Sequence, residues 1–164
     1  MTKKIKLKNP AISIRIAKLN DLTVMLKMFL DTISTICKDD YSPEQIEAWI
    51  SSTENIQSWK NKLTSEYFIV AESDNNIVGF ASLENEDYID FLYVHKDYQR
   101  LGIADKLYFE IEKAAIIRGA TTLSSNVSKT ARLFFEKKKF KVQNEQINIR
   151  QGVEIINYKM TKKF

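Results

Sequence analysis

The sequence predicts an α/β (α+β) fold, a single layered domain built on a mixed sheet. Three observations lead there. Alternation with a period of two runs through "YFIVAE", "IVGFASL" and "YIDFLYV", between Tyr67 and Val94. Helical spacing marks two other stretches, one with Leu22, Met25, Leu26, Phe29 and Ile33, the other with Ile103, Leu107, Tyr108, Ile111 and Ala115. The second of these lies between the strand formers "YIDFLYV" and "TTLSSNV", an order that suits a parallel crossover inside an otherwise antiparallel sheet.

Taken in order, residues 1–10, "MTKKIKLKNP", read as a loose lead-in to one domain spanning 1–164. "ISIRIA", from Ile12, alternates as a first strand, and Asn20 or Asp21 can cap the helix that follows. Ser42, Pro43 and Gln45 form a capping-box start for the next helical region, which carries Trp49 and Trp59. "SDNN" between two alternating runs signals a hairpin. After "YIDFLYV" comes a polar turn with one glycine, then the second amphipathic helix, which Gly119 stops. "TTLSSNV" is a further strand. "KTARLFFEKKK" is a short helix with Ala131, Phe134 and Phe135 on one side. "FKVQNEQINI" and "VEIINYKM", split by Gly152, close the chain as a strand pair.

Composition narrows the function. No apolar run is long enough to span a bilayer, and no apolar signal core follows the basic N-terminus, so no membrane partner and a cytoplasmic location are expected. A single cysteine, Cys37, forbids an internal disulfide and reads as a buried, inert thiol. A single histidine, His95, leaves zinc sites and Ser-His-Asp catalysis short of residues, and no metal is expected. The net charge of +4 comes from scattered lysines, with Lys137, Lys138 and Lys139 the one cluster. No aromatic-basic motif accompanies them, so no nucleic-acid partner is expected.

The turn "DYQRLGIAD", residues 97–105, carries the chemistry. It leads into a helix, where up to four backbone N–H groups lack intrahelical partners and the dipole adds about half a positive charge. Gly102 lets a ligand approach the backbone, Ala104 is nearly as small, and Arg100 adds a forked cation. These features can cradle a pyrophosphate, a plain turn capped by Gly102 being the other reading.

With these residues the chain resembles the GNAT superfamily of acyl-CoA-dependent N-acetyltransferases. "LYVHKDYQRLGIADKL" looks like that family's central strand and its Gln-x-x-Gly-x-Ala coenzyme A loop. "SKTARLFFEKKKF" looks like its later Asn-x-x-Ala-x-x-Phe-Tyr-x-x-x-Gly-Phe segment. "DYSPEQIEAW", "YIDFLYV" and "FFEKKKF" put it nearest the YafP-like branch. The resemblance implies a single GNAT-like domain of six to seven strands, helices on both faces, and a splay between the fourth and fifth strands that takes acetyl-CoA. The Leu92–Val94 backbone, with Tyr93 between, would pair with the acetyl and pantetheine amides. Gln99, Arg100, Leu101, Gly102, Ile103, Ala104 and Asp105 would hold the pyrophosphate through backbone N–H groups. Asn126, Ser128, Ala131, Phe134 and Phe135 would line the cofactor arm, with Asn126 equally able to serve a turn. Tyr41 and Trp49 would line the acceptor pocket, and Asp39 and Asp40 would attract a cationic amine. Related domains are often homodimers.

Three residues depart from the family pattern. Ser128 stands where Asn is usual. Lys139 replaces the Gly before Phe140, which implies a different turn. Phe135 replaces the Tyr that protonates the leaving thiolate.

The implied reaction is direct attack of a primary amine, from a small molecule or a protein, on a thioester. Asp90 interrupts an apolar strand and is the first candidate for the base, a salt-bridged sheet residue being the other reading. Tyr88 lies two residues away on the same face and can relay or donate a proton. Glu84 and Asp87 read as solvated. Without a tyrosine at position 135, a non-catalytic acyl-CoA-binding module is the alternative.

Overall fold

In the computed structural model, which describes residues 10–164, the alternating stretches form one seven-stranded sheet. The expected lead-in lies, Pro10 apart, outside the described residues. The strands are β1 (Ser13–Ile16), β2 (Tyr67–Ser73), β3 (Asn76–Glu84), β4 (Tyr88–Val94), β5 (Thr122–Ser128), β6 (Lys141–Arg150) and β7 (Val153–Lys163). Helices α1 (Leu22–Ile36), α2 (Pro43–Ile50) and α3 (Ile56–Ser65) precede β2. Helix α4 (Ile103–Ile117) crosses from β4 to β5, and α5 (Arg132–Lys137) follows β5. The sheet order is β1-β2-β3-β4-β5-β7-β6, antiparallel except for the parallel β4–β5 pair. No helix among the described residues is long and apolar enough to cross a membrane.

Helices cover both faces. On one, Ile103, Leu107 and Ile111 of α4 are at most 1% exposed and pack with Ile69, Ala81, Leu123 and Met160. Full burial of each such side chain contributes about 1.5–3 kcal/mol. A Cβ at Gly79 would stand 2.9 Å from Leu107 Cδ1, so the missing side chain lets α4 sit close on β3 and fixes where its N-terminus points. On the other face, α1, α2 and α3 bury Met25, Phe29, Ile33 and Trp59 against Phe68, Phe80 and Phe91.

Local signals act as their chemistry demands. Ser42 Oγ accepts from Gln45 N–H, and Gln45 Oε1 accepts from Ser42 N–H, starting α2 at Pro43. Asp74 and Asn75 take φ of 49° and 62°, the paired left-handed residues of a tight hairpin turn. Other expectations need correcting. Neither Asn20 nor Asp21 caps α1 through its side chain. The Asp21 carboxylate instead accepts from Lys18 N–H at 2.7 Å and from the Arg15 guanidinium, whose hydrogen bond holds it below the usual carboxylate range. The first strand is shorter than "ISIRIA", and β7 runs on to Lys163 because its end pairs with the start of β5.

Lys139 does not produce a different turn. It takes φ +73°, with Lys139 N–H bonded to Glu136 O at 2.9 Å and Phe140 N–H to Phe135 O at 3.0 Å. That is the helix stop a glycine would make, adopted by a lysine because the two bonds satisfy the last carbonyls of α5.

Candidate active site

The site begins with a fault in the sheet. Ser82 pairs with Phe91 but Leu83 pairs with Ile89, so Asp90 is an extra residue on β4. Such a bulge bends a strand and re-aims its side chains. Here it reverses the alternation: Ile89 packs on the α4 side while Phe91 packs on the α1–α3 side. Strands β4 and β5 register at one position, Tyr88 with Ser124, and Ser125 Oγ donates to Ile89 O at 2.8 Å. Beyond the bulge they part around a cavity of about 650 Å³.

One wall is backbone. His95 N–H donates to Val78 O at 2.9 Å. Antiparallel bonding alternates by two, so Tyr93 and Phe91 bond to β3 while the backbone of Leu92 and Val94 turns toward the gap. The Val94 carbonyl is taken by Gln99 Nε2 at 2.7 Å and Thr32 Oγ1 at 3.2 Å. The Gln99 side chain therefore secures its own loop. Gly102, at φ +77°, sets the α4 N-terminus. Among the described residues no chain acceptor bonds the N–H of Gly102, Ile103, Ala104 or Asp105; the first to return to the chain is Lys106 N–H, to Gly102 O at 3.2 Å. Ile103 is buried and Leu101 packs on the core, so these two offer only backbone to a ligand. The exposed Arg100 stands at φ +60°, and Asp105 pairs with Lys138.

The far wall comes from β5 and α5. Asn126, Ser128, Ala131, Phe134 and Phe135 all line the cavity. Ser128 Oγ accepts from Ala131 N–H at 3.1 Å and holds the α5 turn, while its own proton meets no acceptor among the described residues. Asn126 Oδ1 accepts from Gln146 Nε2 at 3.0 Å. Phe135 is buried, edge-on to Phe134 and Phe140 at 5.7 and 5.1 Å.

The opposite mouth is aromatic. Tyr41 and Trp49 line it, ring to ring at 5.3 Å, with Phe29, Trp59, Phe91 and Tyr93. Tyr41 is pinned: its hydroxyl donates to Ile156 O at 2.7 Å and accepts from Lys129 N–H at 2.9 Å, and burial pushes its pKa up to about 12. Asp39 and Asp40 are exposed and lie outside the cavity wall, with Asp40 taking the Thr130 hydroxyl at 2.7 Å. Cys37 is buried, and burial raises its thiol pKa, which keeps the thiol protonated.

Asp90 and Tyr88 both line the cavity. Burial and then the Asp90 charge push the Tyr88 phenol up, so it keeps its proton at neutral pH. Asp90 is ion-paired with Lys62 on α3. Burial works against the Lys62 ammonium, but the Asp90 hydrogen bond and charge outweigh it and raise its pKa. Behind them, the Glu66 side chain is 2% exposed, 3.3 Å from Lys62 Nζ, and accepts the Ser82 hydroxyl. Glu84, expected to be solvated, is half-buried, and carboxylate oxygens of Glu66, Glu84 and Asp90 lie within 4.8 Å of one another. Asp87 is exposed, as expected. Sequence reasoning missed Lys62, Glu66, Ser82, Asn148, Asn157 and Arg150. Only the Lys62–Glu66 pair had a local signal, its i,i+4 spacing.

Burial lifts the Glu66 pKa from 4.5 to about 7. Between those values the folded chain holds a proton that the unfolded chain has released, so stability falls as pH rises through that window. Glu66→Gln is expected to flatten this decline and to leave the protein more stable than the parent at pH 8, by on the order of 1–3 kcal/mol. Urea denaturation from pH 5 to 8 reads it; an unchanged slope would mean that Glu66 carries a normal charge.

A splayed β4–β5 pair facing a helix N-terminus with open N–H groups defines an acyltransferase fold, and the sequence matches accordingly: residues 37–162 fit the Acetyltransferase (GNAT) domain, and the chain belongs to that family of N-acetyltransferases. It is 32% identical over 152 residues to an uncharacterized N-acetyltransferase, YafP, of Escherichia coli (strain K12), covering 93% of this chain and 96% of that protein. Its fold matches a GCN5-related N-acetyltransferase from Rhodopseudomonas palustris with a TM-score of 0.89 and 32% identity, covering 96% of this chain and 97% of that one. It also matches the PaiA N-acetyltransferase of Thermoplasma acidophilum, solved in complex with coenzyme A, with a TM-score of 0.79, 22% identity, and 94% and 99% coverage; this likeness is one of fold.

Proposed function

We propose that this N-acetyltransferase binds acetyl-CoA in the β4–β5 gap and transfers the acetyl group directly to a primary amine within a ternary complex. The observation that carries this reading is the set of free N–H groups at Gly102–Asp105 opening beside the parted strands. The pyrophosphate sits on those groups, each charge-assisted bond contributing about 1.5–3 kcal/mol. The pantetheine arm runs along the Leu92 and Val94 backbone against Ala131, Phe134 and Phe135. The acceptor enters from the aromatic mouth formed by Tyr41 and Trp49. Its nitrogen attacks the thioester carbon, the C–N bond forms, the C–S bond breaks, and the nitrogen's proton passes to Asp90. Phe135 has no proton to give the thiolate; Tyr88, held protonated, or water supplies it. A thiol pKa near 8.5 makes the thiolate an acceptable leaving group without a dedicated acid. The lone buried cysteine suits a cytoplasmic, reducing setting.

Saturating acetyl-CoA is expected to raise Tm by several degrees, since a ligand at 100 times its Kd adds about 2.7 kcal/mol. Thiol release over a panel of amines then reads transfer. No thermal shift at millimolar acetyl-CoA would sink the binding mode. A shift with no thiol release from any amine would favour the one competing reading, acyl-CoA binding without transfer, to which Phe135 points.

A further inference from the structure

The end of β6 is patterned the wrong way round for a strand packed on a core. Ile147 and Ile149 are 61% and 70% exposed, on the outer face. Their neighbours Asn148 and Arg150 line the cavity, together with Ile155 and Asn157 of β7. The register explains the shared face, because Asn148 stands opposite Ile155, and Arg150 opposite Val153, which packs against the α1–α3 core. Apolar residues normally take the inner face and polar ones the outer. Here two isoleucines face outward while an amide and a guanidinium face the cleft.

The Arg150 side chain forms no hydrogen bond or ion pair among the described residues. The other charged groups of the cavity wall, Lys62 and Asp90, neutralise each other. Arg150 is thus the one uncompensated charge on that wall. The Tyr93 phenol senses both ends of the cleft, its pKa raised chiefly by burial, pushed further by Asp90 and pulled back by Arg150.

Resting on the acetyl-transfer reading, we infer that Arg150, flanked by Asn148 and Asn157, is the acceptor's anion subsite, and that the acceptor is a small amine that also carries a carboxylate. Its amine lies at Asp90, its body against the aromatic mouth, and its carboxylate at the guanidinium, whose fork matches two carboxylate oxygens. An apolar or aromatic amino acid has these three parts.

The test pairs phenylalanine and leucine with phenethylamine and isoamylamine, and with the methyl esters of the two acids, in a thiol-release assay. The parent is expected to favour the acids at least tenfold in kcat/KM over amines and esters. Arg150→Gln, at an exposed position, should raise KM for the acids about 10- to 100-fold. It should leave kcat/KM for phenethylamine and KM for acetyl-CoA unchanged, with Arg150→Lys in between. Equal use of acids, amines and esters by the parent overturns the subsite alone, as does an equal loss on every acceptor in Arg150→Gln. No release from any of them, with the acetyl-CoA thermal shift intact, overturns the transfer reading and the subsite with it.

Discussion

Asp90→Asn is expected to lower kcat by about 10²–10⁴-fold, the span that a positioned proton acceptor supplies. Acetyl-CoA affinity should stay within about twofold, a change smaller than one lost neutral hydrogen bond. The magnitude follows from the acceptor. An alkylamine near pKa 10.4 is neutral in only about one molecule in a thousand at pH 7. As the C–N bond forms, the nitrogen becomes strongly acidic, and a carboxylate at that point takes its proton downhill. The bulge makes the placement possible. Without the extra residue, position 90 would alternate with Ile89 and Phe91 in a regular ladder, and no carboxylate would stand where the strands part. Asparagine keeps the size and the hydrogen-bonding edge, and the Lys62 side chain, 32% exposed, stays open to water, so folding should survive. Turnover, acetyl-CoA binding by calorimetry, and the pH–rate profile separate the outcomes. Loss of turnover together with loss of the acidic limb identifies a base. Parent-like turnover and an unchanged profile would leave Asp90 as the sheet-bound partner of Lys62 and nothing more.

What could be read from the sequence was local. The amphipathic spacing of α4, the box at Ser42 and Gln45, and the Asp74–Asn75 turn each depend on residues a few positions apart, and each forms. The glycine turn ahead of α4 was legible for the same reason, since strand, turn and helix start are contiguous. The bulge at Asp90 was not legible, because it is a mismatch between two strands and either strand alone alternates well. Glu66 and Arg150 were missed for a related reason. One is an acid at the end of a helix and the other an arginine near a hairpin tip, and each acquires meaning only from what β3, α3 or β7 brings beside it. Lys139 misled in the opposite direction. Its identity argued against a left-handed turn, but two backbone bonds to the end of α5 impose the conformation and outweigh a cost of about 1 kcal/mol.

Gly102→Val should reduce acetyl-CoA affinity by at least about 100-fold, equivalent to losing one or two charge-assisted hydrogen bonds. Two physical effects are mixed in that substitution. Valine at φ +77° is strained, which costs about 1–3 kcal/mol of stability. On the proposed binding mode, its methyls also crowd the anion seated on the open N–H groups of α4. Nothing in the fold obstructs them, since no chain atom lies within 4 Å of the added Cβ. Gly119, just past the other end of α4, separates the two effects. It too has a left-handed φ, +88°, and open space around its Cβ, but it lies where helix carbonyls rather than N–H groups are exposed. Gly119→Val should therefore match the stability loss and leave KM for acetyl-CoA unchanged. If the two variants instead weaken acetyl-CoA equally, the effect is strain carried along the helix, and the α4 N-terminus is not where the pyrophosphate sits.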